Sequence, residues 1–251
     1  MANWCSNTLR VSGSKKDIAY FKEMAKGDFV IQIKKEKVEE KLKNFLNADH
    51  YKDDIKEFVR VKKMSINELF TKELRLIKDK QGNWGKEPSV LSFQKFYPCP
   101  KEIKSNTAPT RILTEKEYKA QEKRIAEGDL SDSEKMFGIT IGITEKMQKE
   151  FKKKFGADNW YNWQIANWGT KWDIDTDNLQ EEETSLFYVF ETAYSPPVAW
   201  LEKVCEMFPK LEFTLNYEEG GNGFQGEAYG VDGELSDNCW DWDGNWDEDG
   251  N

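Results

Sequence analysis

Over residues 8–12 apolar and polar positions alternate, Leu9 and Val11 against Thr8, Arg10 and Ser12, which predicts a half-buried strand closed by Gly13. The period then lengthens. Ile18, Phe21 and Ala25 share one helical face behind Ser14, a suitable cap, and Gly27 ends the run. Residues 29–33 read as a second strand, after which the chain to about residue 80 turns highly charged with helical apolar stripes: Leu42, Phe45 and Leu46, then Ile55, Phe58 and Val59. Ser65 and Glu68 have capping-box spacing ahead of Leu69, Phe70, Leu74 and Ile77. Residues 90–96 alternate again, predicting a strand that runs into the proline-fixed loop Tyr97-Pro98-Cys99-Pro100. Thr114 and Glu117 give a second capping box and a polar helix to about Ala126. Met147, Phe151 and Phe155 mark one face of a further helix, stopped at Gly156.

The last third follows a strand, helix, strand order. Residues 186–192 are rich in strand formers, Ser195-Pro196-Pro197 supplies a cap and a proline-started first turn, and Leu201, Val204, Cys205 and Phe208 line the helix's apolar face. Leu211, Phe213, Leu215 and Tyr217 then alternate, and a glycine-rich hairpin loop at 218–223 leads into a last strand over 224–231. No fixed-period repeat is present. The expected organisation is a first strand-helix unit of the core at 1–33, a charged helical insertion at 34–89, the remainder of the core at 90–235 and an acidic tail at 236–251.

Composition changes this picture in two ways. A chain with 33% charged and only 38% hydrophobic residues resembles a solvating polymer, but 14% aromatic residues, 10 of them Trp, supply packing material that such polymers lack. The net charge of −9 also hides an asymmetry, because the chain up to Lys171 is net basic while from Trp172 onward Lys203 and Lys210 stand alone against many Asp and Glu. A simple basic nucleic-acid binder is disfavoured. No apolar run reaches the ~18 residues of a membrane span, and Met1-Ala2-Asn3-Trp4-Cys5 lacks the order of a signal peptide, so the expected location is the cytoplasm. Cys5, Cys99, Cys205 and Cys239 are widely spaced and read as reduced thiols.

Little in the chain suggests catalysis. His50 is the sole histidine, which excludes a His-rich metal site and most histidine-based mechanisms. Phosphate-loop, serine-hydrolase and zinc-protease motifs are absent, Cys5 has no histidine near it in sequence, and the carboxylates of the last third form no distinctive metal motif. Asp241, Asp243 and Asn245 match the first positions of a calcium loop, but Trp246 stands where that loop needs glycine, and no terminal Glu follows. The expectation is a protein without a catalytic residue, a bound metal or a cofactor. Two stretches are candidates for binding. Trp240, Asp241, Trp242, Asp243, Trp246, Asp247, Glu248 and Asp249 alternate aromatic anchors with negative charge, suited to a basic groove; a solvated acidic tail is the alternative. Trp160, Trp163, Trp168 and Trp172 offer either a stacking platform for bases or a packing corner, and packing fits their density better. The lysines at 34, 35, 37, 41 and 43 are interleaved with Glu36, Glu39 and Glu40, as on a salt-bridged exposed helix, though the net basic part leaves head-to-tail self-association open.

Three segments taken in order resemble a known family: Asn3-Trp4-Cys5-Ser6-Asn7 leading into Leu9-Arg10-Val11-Ser12-Gly13; Asn167-Trp168-Gly169-Thr170-Lys171-Trp172-Asp173; and Phe190-Glu191-Thr192-Ala193-Tyr194-Ser195-Pro196-Pro197. Together they resemble the YubB-like proteins of phages and plasmids. The resemblance covers about the first 15 residues and roughly 158–235. It implies an α+β, ferredoxin-like antiparallel sheet with helices on one face and an origin on a mobile genetic element, and it implies no reaction. The expected function is that of a non-enzymatic binder that inhibits a host protein or nucleoprotein complex with a basic surface, an antiviral defence such as a CRISPR effector included. The alternative is a ferredoxin-like module that holds a nucleotide or single-stranded nucleic acid on the aromatic block.

Overall fold

The computed structural model describes residues 3–28, 30–33, 76–78, 84–131, 134, 138–176 and 178–241. The chain divides into two units, residues 1–26 with 90–251, and residues 27–89. The larger unit begins with β1 (Trp4–Ser12) and α1 (Lys15–Ala25); the smaller contributes β2 (Val30–Ile33), β3 (Leu76–Lys78) and β4 (Trp84–Lys86). The larger unit resumes with α2 (Phe93–Phe96), α3 (Lys101–Lys104), β5 (Ile112–Leu113), α4 (Glu115–Ala126), β6 (Ile143–Thr144), α5 (Glu145–Phe155) and α6 (Trp160–Trp168). It closes with β7 (Leu179–Glu181), β8 (Ser185–Ala193), α7 (Val198–Met207), β9 (Glu212–Glu219), β10 (Phe224–Val231) and β11 (Glu234–Asp241).

The main sheet of the larger unit has the order β11-β10-β9-β1-β8-β7, and every neighbouring pair is antiparallel. Two strand-helix-strand crossovers interleave in it. β1 passes through α1 to β7, β8 passes through α7 to β9, and each crossover skips one strand, which is the ferredoxin-like α+β arrangement. β10 and β11 extend this sheet past β9 as a meander.

Alternation explains which face is covered. Along β1, Cys5, Asn7, Leu9 and Val11 are buried while Trp4, Ser6, Thr8 and Arg10 are exposed. The register sets Leu9 between Tyr188 and Leu215, and Val11 between Leu186 and Phe213, so the inner positions of three strands form one apolar layer. Helix α1 adds Ile18, Phe21 and Ala25 to the core, and α7 adds Trp200, Leu201, Val204 and Cys205. Helix α7 lies so close to the sheet that a Cβ on Gly230 would strike the sulfur of Cys205. Aromatic rings fill the remaining space: Phe21 and Phe96 lie 5.0 Å apart, Phe93 and Trp200 4.5 Å. Such pairs contribute about 0.5–1.5 kcal/mol each beyond their burial. No helix among the described residues is long and apolar enough to cross a membrane.

Most expected elements form. The caps at Ser14 and Thr114 form as expected: Ser14 accepts from the Asp17 amide, and Thr114 and Glu117 form a reciprocal capping box; Thr144 also caps α5, accepting from the Met147 amide. The cap expected at Ser195 does not form, because α7 starts after Pro197 with no side-chain cap and Ser195 Oγ donates to the Gly169 carbonyl. Four further expectations are corrected. Val30–Ile33 does not belong to the first strand-helix unit of the core; it pairs with β4 in a three-stranded sheet of the smaller unit, which begins at Gly27. The strand that completes β1 and α1 is β7. Ile77 lies in β3 and not in a helix, held by pairing with β4, while the helical stripes over 42–74 lie outside the described residues.

Residues 90–96 do not form a strand: α2 occupies 93–96, because the distant Asp173 carboxylate accepts hydrogen bonds from the Phe93 amide at 2.6 Å and from Ser92 Oγ at 2.7 Å. Finally, the acidic tail does not start at 236. Residues up to Asp241 continue β11, and the Tyr217 hydroxyl donates to Asp237 at 2.8 Å. An edge strand draws on backbone pairing with one neighbour and needs no alternating apolar pattern, so its sequence did not mark it.

Candidate functional site

Among the described residues, the core-forming helices α1 and α7 pack on the inner face of the main sheet, and the other face presents its strand side chains outward. Cross-strand register puts Ser6, Thr8 and Arg10 of β1 beside Glu191, Val189 and Phe187 of β8, with Thr214, Asn216 and Glu218 of β9 on the other side. The pattern continues outward through Gln225, Glu227 and Tyr229 to Trp240, Asn238 and Ser236. Negative charge dominates: Glu191, Glu212, Glu218, Glu227 and Glu234 face one base, Arg10, whose guanidinium lies 5.3 Å over the Phe187 ring. A shallow groove of about 330 Å³ crosses five strands, from Val189 and Thr8 past Asn216, Glu218 and Gln225 to Trp240. Large rings stay in water on this face. Trp4 is 50% and Trp240 49% exposed, with Tyr229 at 42%. Exposed indole of this extent is unfavourable on a free surface and suits a contact surface.

Of the expected binding residues, Trp240 and Asp241 sit on β11, with Trp240 on this outer face and Asp241 on the opposite one. Trp242, Asp243, Trp246, Asp247, Glu248 and Asp249 lie outside the described residues. The outer-face glutamates and Trp4 were not singled out from the sequence. Period-2 alternation within each strand marks their outward positions, but only strand order brings them together.

The aromatic block divides. Trp163 and Trp168 are buried in the core, and Trp168 Nε1 donates to the Tyr97 carbonyl at 2.8 Å. Neither can stack on a base, which corrects the platform reading for these two; α6 places them inward, between the Asn159 cap and the left-handed Gly169. Trp160 and Trp172 lie elsewhere and line a cleft beside the sheet.

The three motif segments meet in one corner. Asn7 Nδ2 donates to the Cys5 carbonyl at 2.7 Å and to Thr192 Oγ1 at 2.9 Å, and Thr192 Oγ1 donates to the Ser195 carbonyl at 2.8 Å. Ser195 Oγ in turn donates to the Gly169 carbonyl, and Thr170 Oγ1 to that of Ala193. Trp4 packs on Trp172 at 6.1 Å. The side chains of Asn7, Thr170, Thr192 and Ser195 are thus spent on each other and on backbone, a structural use that satisfies buried groups.

Reactive chemistry finds little support among the described residues. Burial pushes the Cys5 and Cys205 thiols up to about 12 and that of Cys99 to about 11, far from the thiolate form, and only Cys239 is exposed. No group of three or more His, Cys, Asp or Glu among the described residues is placed to hold a metal ion.

The matching family model describes the same ferredoxin-like arrangement. No curated protein matches the chain. Among solved structures, the crystal structure of a protein api92 from Yersinia pseudotuberculosis is similar at 12% identity and a TM-score of 0.41, over 96% of this chain and 98% of that one. Residues 167–250, which hold β7 to β11 and α7, match the family described as a ferredoxin-like domain in Api92-like protein.

Proposed function

We propose that the protein is a non-enzymatic binding protein whose acidic, aromatic sheet face occupies a basic surface of a partner, a host protein or nucleoprotein complex. The observation that carries this reading is the pairing of uncovered rings with carboxylates on one face: Trp4, Tyr229 and Trp240 exposed beside Glu191, Glu218 and Glu227, with Arg10 the one base at the outward strand positions among the described residues. Rings supply buried area on docking and carboxylates supply steering toward positive charge, so binding weakens as salt rises. In sequence the chain continues past Asp241 with further Asp and Trp, which adds charge of the same sign next to β11. The resemblance to YubB-like proteins of phages and plasmids supports a bacterial host as the setting and a defence effector with a nucleic-acid-binding groove as a fitting target.

The test is affinity capture from bacterial lysate at low and high salt, with and without nuclease, using the wild type and a Glu218→Lys, Glu227→Lys, Trp240→Ala variant. The expected result is a stoichiometric protein that is lost at high salt and lost with the variant. A partner retained by the variant refutes the sheet face as the contact, and recovery of nucleic acid alone refutes the basic-protein partner.

A further inference from the structure

The cleft lined by Trp160 and Trp172 has about 770 Å³ and lies between the 106–110 loop, α5 at Gln148, the start of α6 and the Lys171–Trp172 turn. That is ample for a small ligand. Its floor is a fixed polar network. Asp158 is 3% exposed; its carboxylate accepts from Gln148 Nε2 at 2.7 Å and from Asn159 Nδ2 at 2.9 Å, and pairs with Lys152 at 3.4 Å. The Asp158 carbonyl accepts from buried Asn106 at 2.7 Å, and Asn159 also donates to Thr110 Oγ1 at 2.8 Å. Burial pushes the Asp158 carboxyl up, but the bonds from Gln148 and Thr110 and the charge of Lys152 hold it below its ordinary value, so it is ionised and already neutralised.

The groups left unspent are of a different kind. Tyr161 and Trp172 present exposed rings, 37% and 40% accessible. The Lys171 ammonium lies 4.3 Å from the centre of the Trp172 ring and 5.8 Å from that of Tyr161, and makes no hydrogen bond or ion pair with the described residues. At the start of α6 the Asn159 side chain takes the Asn162 amide, while the amides of Trp160 and Tyr161 find no acceptor among the described residues. Two flat rings, one unpaired cation and the positive end of a helix dipole converge on one opening.

From this convergence we infer that the cleft binds a nucleoside phosphate, with the base against the exposed rings and the phosphate at Lys171 and the start of α6. An inorganic anion leaves the rings uncovered, and a neutral aromatic leaves Lys171 unpaired; a ligand with both parts uses all of them. The inference stands apart from the sheet-face reading, since it uses none of that face's carboxylates. The same chemistry is offered by a free mononucleotide and by the phosphorylated end of a single strand.

Isothermal titration calorimetry on the full chain tests it, with AMP, GMP, CMP and UMP, the four matching nucleosides, and a 5′-phosphorylated oligothymidylate as probes. At least one nucleotide is expected to bind one to one and more tightly than its nucleoside. Lys171→Gln then lowers nucleotide affinity about tenfold or more and removes the preference for the phosphorylated form. Trp172→Ala weakens nucleotide and nucleoside alike, about fivefold or more. A tighter oligonucleotide assigns the site to a strand end, and an equal or weaker one assigns it to a free nucleotide. If Lys171→Gln melts below wild type, Lys171→Met, which keeps the stem on the rings, takes its place. Absence of nucleotide binding at millimolar concentration, equal affinity for nucleotide and nucleoside, or binding unchanged in folded Lys171 and Trp172 variants overturns the inference.

Discussion

Removal of the Asp173 side chain isolates the contact that turns residues 93–96 into a helix. Its two oxygens take four donors: the Phe93 amide at 2.6 Å, the Ile174 amide at 2.9 Å, Ser92 Oγ at 2.7 Å and, more weakly, the Gln94 amide at 3.4 Å. Phe93 and Phe96 of this short helix are core residues that pack on Trp200 and Phe21. In Asp173→Ala the cap is lost and partly buried donors go unanswered, which together cost about 3 kcal/mol. For a chain of this size that lowers Tm by roughly 6–12 °C.

Asp173→Asn keeps one acceptor oxygen in the position that serves Phe93 and Ile174. Burial pushes the Asp173 carboxyl up from its ordinary value of 3.8, against the hydrogen bonds of Ser92 and Phe93. The amide keeps the acceptor oxygen that serves Phe93 and Ile174 and gives up the one that serves Ser92 and Gln94, about 1 kcal/mol or less at pH 7. The sign with pH follows. The folded chain holds this proton more tightly than the unfolded one, so the contribution is full below 3.8 and declines as pH rises through the raised value. Asp173→Asn lacks that decline. Thermal and urea denaturation give the stabilities, and hydrogen exchange at the Phe93 amide reads the local cap. Asp173→Ala within about 0.5 kcal/mol of wild type, or Asp173→Asn as unstable as Asp173→Ala, refutes the capping account.

Two further outcomes follow from the packing. Gly230→Ala forces a methyl group against Cys205 and is expected to destabilise by about 1–3 kcal/mol, with most of the loss recovered in the Gly230→Ala, Cys205→Ala double variant, as urea melts of the four proteins measure. A chromogenic thiol reagent is expected to titrate Cys239 rapidly in the native protein, and Cys5, Cys99 and Cys205 only after denaturation; fast native reaction of a second thiol contradicts the burial of these three.

The candidate binding surface was legible only in part. Trp240 and Asp241 stand out in the sequence because carboxylates and indoles crowd together there, and the structure sets Trp240 on the outer face. Glu191 is separated from Glu218 and Glu227 by α7, and nothing local distinguishes these three from any exposed glutamate. Lys171 was visible as part of a motif, but its isolation from every carboxylate among the described residues and its position between two rings are tertiary facts.

What the sequence determined by itself are the elements governed by short-range rules. Alternation in β1 and β9, the apolar faces of α1 and α7, and the caps at Ser14, Thr114 and Thr144 each depend on residues within a few positions of one another, and each forms as its pattern requires. The tertiary structure decided whatever depends on a distant partner. Helix α2 exists through a carboxylate some 80 residues away, β11 through pairing along the edge of β10, and β2 serves the smaller sheet because β4 and not β1 lies beside it. The tryptophans show the same division most plainly. Local sequence packs them together, but burial of Trp163 and Trp168 follows from which side of α6 meets the core, and Trp172, in the turn beyond Gly169, stays exposed, since an indole's role is fixed by what covers it.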